Sequence, residues 1–283
     1  MYKQLFRIFL TVPVFIYICP MFDFHGDRKR YFDIQVENTH KYVIPFVREA
    51  FSIKPGMRVM EIGCGEGGVL KAFTDNGCIG VGVEMDLPRI ELGAQWLQPE
   101  LASGKIKFVG SDIYLVEPES LGGAFDIIVL KDVIEHIHQQ DKLMTQLKKF
   151  LKPGGVIFFG FPPWQMPFGG HQQMCKGKWL SKLPYYHLLP RPLYKAVLKA
   201  NGEPYEDLLE IRDTRLSIEK FRRVSRLTGY KVLNKHHYFI NPIYEWKFGL
   251  KARKQLPLIN SIPWVRNFLT TCVYYLLTAE EAI

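Results

Sequence analysis

Along the chain, short runs of β-branched and aliphatic residues alternate with stretches whose apolar positions recur every three or four residues. The runs are Arg58 to Ile62, Ile79 to Glu84, Ile106 to Val109, Phe125 to Leu130 and Val156 to Phe161, and each reads as a strand. Strands separated by helical patterning predict βαβ units around a parallel sheet, an α/β fold. Ahead of the first strand, Phe32, Val36, Val43, Phe46 and Val47 keep mostly helical spacing between Tyr31 and Phe51, and Pro55 with Gly56 ends that helix. A further helix from about Gln139 to Phe150 is closed by Lys152, Pro153, Gly154 and Gly155, a stop signal and turn together.

Residues 162–214 break the rhythm. They are rich in proline, aromatic residues and histidine, too long for a simple connection, and predict an inserted lid. Helical patterning returns from Ser217 to Thr228. Tyr230 to Phe239 and Tyr244 to Leu250 then read as two last strands, an antiparallel hairpin turning at Asn241 and Pro242. The expected organisation is an apolar segment and cap helix (1–54), a Rossmann-like core (55–161), the lid (162–214), the last helix and strands (215–250) and an apolar tail (251–283), in which Ile262 to Leu277 is aromatic and aliphatic.

Two features of composition change this picture. Leu5 to Cys19 is almost wholly apolar but, at about 15 residues, shorter than the roughly 20 that span a bilayer, and it lacks the small residues of a signal-peptide cleavage site. It is expected to pack on the domain or to lie in a membrane interface. The net charge of +9 is concentrated late in the chain: 18 Lys and Arg face 19 Asp and Glu up to Phe161, and 19 face 9 after it. That excess suits an anionic ligand, a nucleic acid or an acidic membrane surface without choosing among them. Five widely spaced cysteines form no CxxC pair, so no metal is expected, and a reducing cytoplasm is the expected location, with peripheral contact at the inner membrane face as an extension of it.

The chemistry concentrates where the first strand ends in Glu61, Ile62, Gly63, Cys64, Gly65, Glu66 and Gly67. Glycines there let the backbone turn tightly and approach a ligand at the mouth of the next helix. Gly63, Gly65 and Gly68 also satisfy GxGxxG, so a dinucleotide site competes. Glu61 separates the readings, because a carboxylate two residues before the first glycine repels a pyrophosphate and attracts a cationic ammonium or sulfonium. Glu84 ends the second strand, where an acid can accept ribose hydroxyls, and Asp112 follows the third, where it can accept from an adenine amino group that Ile113 covers.

These residues, with the Phe125 to Leu130 run, Asp132 to His136 and the sequence Leu151 to Gly155, resemble the class I S-adenosylmethionine-dependent methyltransferases, small-molecule branch, over residues 55–161. The resemblance implies a seven-stranded, mostly parallel Rossmann-like sheet with an antiparallel last strand. It implies S-adenosylmethionine as cofactor: Glu61, Gly63, Gly65 and Gly67 at its methionyl part, Glu84 at the ribose, Asp112 and Ile113 at the adenine, and Lys131 and Asp132 beside the transferred methyl.

For the acceptor, the lid offers His171, beside two glycines, as first choice of base and His187 as second, since a histidine pKa lies near working pH. Trp164, Phe168, Tyr185 and Tyr186 are candidates for an apolar acceptor pocket, or for the lid's own core. His136 is expected to line the pocket, and His236 and His237 to point to opposite faces of a strand. The expected function is methyl transfer, foremost to an oxygen, of a small or lipid-like acceptor. The competing readings are an RNA methyltransferase using Arg222, Arg223 and Arg226, and a non-catalytic cofactor-binding protein. Oligomeric state is not legible.

Overall fold

A computed structural model describes residues 27–280; the apolar segment Leu5 to Cys19 lies outside them. Eight strands form one sheet: β1 (Arg58–Ile62), β2 (Ile79–Glu84), β3 (Ile106–Gly110), β4 (Phe125–Lys131), β5 (Leu151–Phe161), β6 (Tyr230–Ile240), β7 (Arg253–Lys254) and β8 (Cys272–Ala279). Their spatial order is β3-β2-β1-β4-β5-β8-β6-β7. The first five pair in parallel, and β8 runs antiparallel to both β5 and β6. Because the strand order reverses between β1 and β4, a crevice opens at the carboxyl ends of these two strands, where open α/β sheets bind ligands.

One core lies on each face of the sheet. Met60, Ile128, Phe159 and Tyr275 pack on one side, and Val59, Ile127, Phe158 and Tyr274 on the other. The alternation of neighbouring residues between faces follows from the period of two along a strand. Phe158 is fully buried and meets Phe46 and Tyr274 edge-on, with centroids 5.7 and 5.0 Å apart. Phe46 belongs to the leading helical segment, which comprises a helix (Arg28–Asn38), one π-helical turn (Thr39–Val43) and a second helix (Ile44–Arg48). That segment lays Phe32 against the start of the helix Gly68–Asp75. A Cβ at Gly68 would come within 2.8 Å of the Phe32 carbonyl oxygen, so only glycine permits the approach.

Three expectations are corrected. Tyr244 to Leu250 is not a strand: Tyr244–Phe248 is helical. The Asn241 side chain accepts from the Ile243 amide, which turns the chain into a helix. Tyr244 and Phe248, four apart, then stack at 5.0 Å, and Gly249 in the left-handed region ends it. The apolar stretch near the C-terminus is no tail, since Cys272–Ala279 is β8, inserted between β5 and β6. A strand buried on both faces carries a continuous apolar run, without the alternation that marks a half-exposed one. Lastly, β5 begins at Leu151. Leu151 pairs with Phe125, Val156 with Ile127, and the intervening Lys152 to Gly155 bulge, with Lys152 ion-paired to Asp126 at 2.8 Å.

The lid carries two helices (Arg191–Ala200 and Tyr205–Thr214) and a separate apolar cluster of Cys175, Leu180, Tyr186, Tyr194, Leu198, Leu208 and Leu209. Next along the chain is the helix Ile218–Leu227, capped by Ser217, whose hydroxyl accepts from the Lys220 amide at 3.0 Å.

Because β8 holds β5 and β6 together, Leu276, fully buried within it, is expected to behave as a core residue. Leu276→Ala should lower stability by about 2–5 kcal/mol, read from the shift of the urea midpoint. A change near zero would assign the segment to a loosely attached tail.

Candidate functional site

The crevice is built by β1 and the glycine turn at its carboxyl end. Gly63, Gly65 and Gly67 all adopt positive φ, at 66°, 53° and 82°, so the chain leaves the strand in a sequence of left-handed turns before the helix Gly68–Asp75. A side chain at Gly65 would collide with the Arg89 guanidinium, and one at Gly67 would come within 2.7 Å of the Phe108 ring. The cavity in front of this loop is lined by Tyr31, Gln35, Glu61, Glu66, Arg89 and Lys131 among others, with Gly63 and Asp132 also at its wall.

Glu61 dominates its electrostatics. The side chain is 3% exposed, and its Oε2 has no hydrogen-bond partner. Burial pushes its carboxyl well above the ordinary carboxylate range, against the opposing pull of Lys131 and Arg89. Lys131 is itself buried and stays charged through Asp132, 2.7 Å away, which holds its pKa up. Asp132 is in the left-handed region at φ 58°, unusual for a residue with a Cβ, and its carboxyl is held low by Lys131. A strained acid at a strand end beside a cavity is a common mark of a functional position.

Glu84 ends β2 with its carboxylate fixed by three backbone amides: Gly65 donates to Oε2 at 2.8 Å, and Met85 and Asp86 donate to Oε1 at 2.8 and 3.0 Å. A carboxylate offers about four lone-pair sites, so Oε2 keeps capacity for a further donor. Asp112 caps the short turn Ile113–Leu115 by accepting from Tyr114, and Ile113 is buried in the core of that face. Neither Asp112 nor Ile113 lines the cavity around Glu61.

Sequence reasoning passed over Tyr31, Gln35, Glu66 and Arg89. Gln35 donates to the Tyr31 hydroxyl at 2.7 Å, one turn apart on the leading helix. Arg89 grips Glu66 through Nε and Nη2 at 3.1 and 2.8 Å, and Arg28 reaches the same carboxylate at 3.0 Å. The only advance sign of Arg89 was its position five residues after Glu84, one turn into the next helix.

In the lid the structure separates the candidates. His187 is fully buried, with Nδ1 facing Gln172 Nε2 at 2.9 Å and Nε2 facing the Trp164 carbonyl at 2.7 Å; burial lowers its pKa to about 4. With both nitrogens committed, it is part of the lid's internal scaffold and not a base. Tyr186 is likewise lid core, against Cys175 and Tyr194. Tyr185 is tied by its hydroxyl to the Phe268 carbonyl. Trp164 meets the edge of His187 and lies beneath Arg215, and neither Trp164 nor the half-buried Phe168 lines the cavity. His171 instead lies against His136, with ring centroids 4.8 Å apart. Burial lowers the pKa of His136, against the opposing charge of Asp132. His236 and His237 do face apart, His236 to Glu49 and His237 to Tyr275.

Glu61 sets a testable opposition between stability and binding. A carboxyl whose folded pKa is raised costs stability at every pH above its unfolded value, and Gln removes that cost. Ligand-free Glu61→Gln should therefore melt higher than wild type at neutral pH by roughly 2 °C or more, corresponding to about 1 kcal/mol or more. The same variant should lose affinity for a cationic ligand. Wild-type affinity for such a ligand should fall as the pH is lowered and the carboxyl takes up its proton, and the fall should begin above the ordinary carboxylate range. A lower melting temperature for Glu61→Gln would show that the carboxylate is satisfied in the protein.

Comparison with known proteins agrees with this geometry. Residues 36–190 match the family model of a methyltransferase domain. An uncharacterized methyltransferase of Mycobacterium sp. (strain KMS) is 29% identical over 151 residues, 52% of this chain and 56% of that protein. The ubiquinone biosynthesis O-methyltransferase of Coxiella burnetii is 25% identical over 116 residues, 41% of this chain and 47% of that one. The chain thus spans about half the length of the curated relatives it matches. Among solved structures, magnesium protoporphyrin IX methyltransferase from Synechocystis PCC 6803, with bound S-adenosylhomocysteine, superposes with a TM-score of 0.53 at 14% identity, covering 94% of this chain and 91% of that one. With more than half of its length matched by the domain model, and with the strand order and glycine turn that such a domain requires, the chain belongs to the methyltransferase-domain family of class I, S-adenosylmethionine-dependent architecture.

Proposed function

We propose that this protein is an S-adenosylmethionine-dependent methyltransferase acting on an oxygen of a small, lipid-like acceptor. The observation that carries the reading is Glu61: a buried carboxylate oxygen with no partner, facing a cavity at the carboxyl ends of β1 and β4. An acid kept in that state is suited to a ligand that arrives with its own positive charge. When bound, S-adenosylmethionine supplies a methyl group activated by a positively charged sulfur.

The chain's own residues then have distinct tasks. Glu61 and the turn Gly63 to Gly67 hold the amino-acid end. Glu84, already fixed by three amides, accepts from a ribose hydroxyl without reorganising. Asp112 and Ile113 are assigned to the adenine. Lys131 and Asp132 border the reacting end, where the Lys131 ammonium neutralises both acids beside it. Of the two lid histidines, His171, whose ring lies against His136 rather than in the lid core that holds His187, is the better supported as the group that handles an acceptor hydroxyl.

Oxygen as the methylated atom is supported by the similarity to an enzyme named as an O-methyltransferase. A lipid-like acceptor is supported by the surface beside the lid. Leu256, Leu258, Ile262, Trp264, Val265 and Phe268 are all at least 40% exposed, in two short helices (Pro257–Asn260 and Val265–Leu269) and the residues flanking them, a segment that comes after the exposed cations Lys251, Arg253 and Lys254. An apolar patch edged by lysine and arginine suits the interface of an anionic membrane. No helix among the described residues is long and apolar enough to cross a membrane. Arg222, Arg223 and Arg226 are carried on a helix that lines no part of the cavity, so nothing specific favours RNA as acceptor.

Calorimetry with S-adenosylmethionine on wild type and Glu84→Ala, with NADH as control, tests the cofactor. Loss of a charged acceptor should weaken binding by roughly 1.5–3 kcal/mol, about tenfold or more. Preference for NADH would return the glycine turn to a dinucleotide. For the acceptor surface, the wild type should sediment with vesicles containing phosphatidylserine at low salt. The double variant Leu258→Ser, Trp264→Ser should bind several-fold less, and equal sedimentation of both would remove the membrane from the reading.

A further inference from the structure

We infer that Glu135, His136 and His171 form a divalent-cation site at the turn that follows Asp132, a residue of the cavity wall, one that holds a borderline cation and presents it to an oxygen of the acceptor. Each of the three offers one ligand atom, and these atoms lie within 4.8 Å of one another. Two imidazoles and one carboxylate are a ligand set for Zn2+, Fe2+, Mn2+ or Co2+, and are poorly matched to Mg2+, which takes oxygen. Metal bonds of about 2.0–2.2 Å place tetrahedral ligands about 3.4 Å apart, so the set as it stands within 4.8 Å has to draw in by little more than an ångström to close on a cation. Three protein ligands leave coordination positions open for a ligand from outside.

An independent observation points to a cation. Glu135 is only 5% exposed, and its Oε2 has no hydrogen-bond partner. A buried, unanswered carboxylate oxygen is costly, and a bound cation offsets that cost directly. Asp132, whose charge acts on both Glu135 and His136, adds negative potential at the same place without being one of the three ligands. The ligands also come from two parts of the fold. Glu135 and His136 sit on the short turn Ile134–His136 after β4, whereas His171 comes from the lid. Cation binding would therefore pin the lid to the core beside Asp132. The acceptor this site fits is one with a hydroxyl, or two neighbouring oxygens able to chelate, beside an apolar body.

The assignment of the acceptor rests on the methyl-transfer reading above; the cation site itself does not. The test is titration of full-length, untagged, chelator-treated protein with Co2+ alone, read by its visible d–d absorption. Wild type should take up one Co2+ per chain. Glu135→Gln and His171→Ala should weaken uptake by more than the roughly 10–100-fold typical of losing an outer-shell partner. Each variant is first checked by thermal melting, and if Glu135→Gln does not fold, His136→Ala at the exposed rim takes its place. Absence of Co2+ absorption in wild type, or unchanged uptake in folded variants, overturns the site. Calorimetry with S-adenosylmethionine on the same metal-free samples separates the two ideas. Cofactor binding without Co2+ uptake rejects the cation site alone, and Co2+ uptake without cofactor binding supports the site while rejecting methyl transfer.

Discussion

The structure is organised around a charge that has nowhere else to go. Glu61 sits at the end of a strand buried on both faces, where an ionised carboxylate is disfavoured. Its Oε2 is closed off from solvent and has no hydrogen-bond partner. Lys131 at the end of β4 and Arg89 on the helix after β2 bring positive charge toward it, and each of these is in turn held by another acid, Asp132 and Glu66. The result is a ring of alternating signs at the switch point of the sheet. Its members come from several different segments, so assembling the sheet and assembling the ring are the same event.

The glycine turn and the leading helix exist to leave this ring accessible. Left-handed backbone at Gly63, Gly65 and Gly67 keeps side chains out of the cavity, and the close approach of Phe32 to Gly68 closes one wall. Tyr31 and Gln35 then face the cavity from outside the sheet.

The lid has a different character. It carries its own apolar cluster and a buried neutral histidine, His187, which ties the Trp164 carbonyl to Gln172. This cluster is nevertheless tied to the rest of the fold, through the Tyr185 hydroxyl on the Phe268 carbonyl and the Trp164 amide on the Leu216 carbonyl. Its connection to the chemistry is His171, in the left-handed region at φ 54° and directed at His136.

The sequence alone indicated the sheet's first five strands, the glycine turn and the strand-end acids Glu61, Glu84 and Asp112, because each rests on local spacing: a period of two, a helix start, a carboxylate at a strand end. Asp132 was implied by the family resemblance and not by spacing, and Asp112 does not line the cavity that holds Glu61 and Asp132. It could not place β8, since a strand covered on both faces shows only a continuous apolar run, the same run that a tail or a membrane helix would show. Nor could it distinguish the aromatic helix Tyr244–Phe248 from a strand, because an alternation of aromatic and polar residues over five positions fits both periods. Tertiary structure decided the rest. It committed His187 and Tyr186 to the lid's interior, added Arg89 and Glu66 to the cavity, and set His171 beside Glu135 and His136, 36 and 35 residues earlier in the chain. Contacts made across such separations depend on how the lid folds back over the sheet, and no local pattern encodes that path.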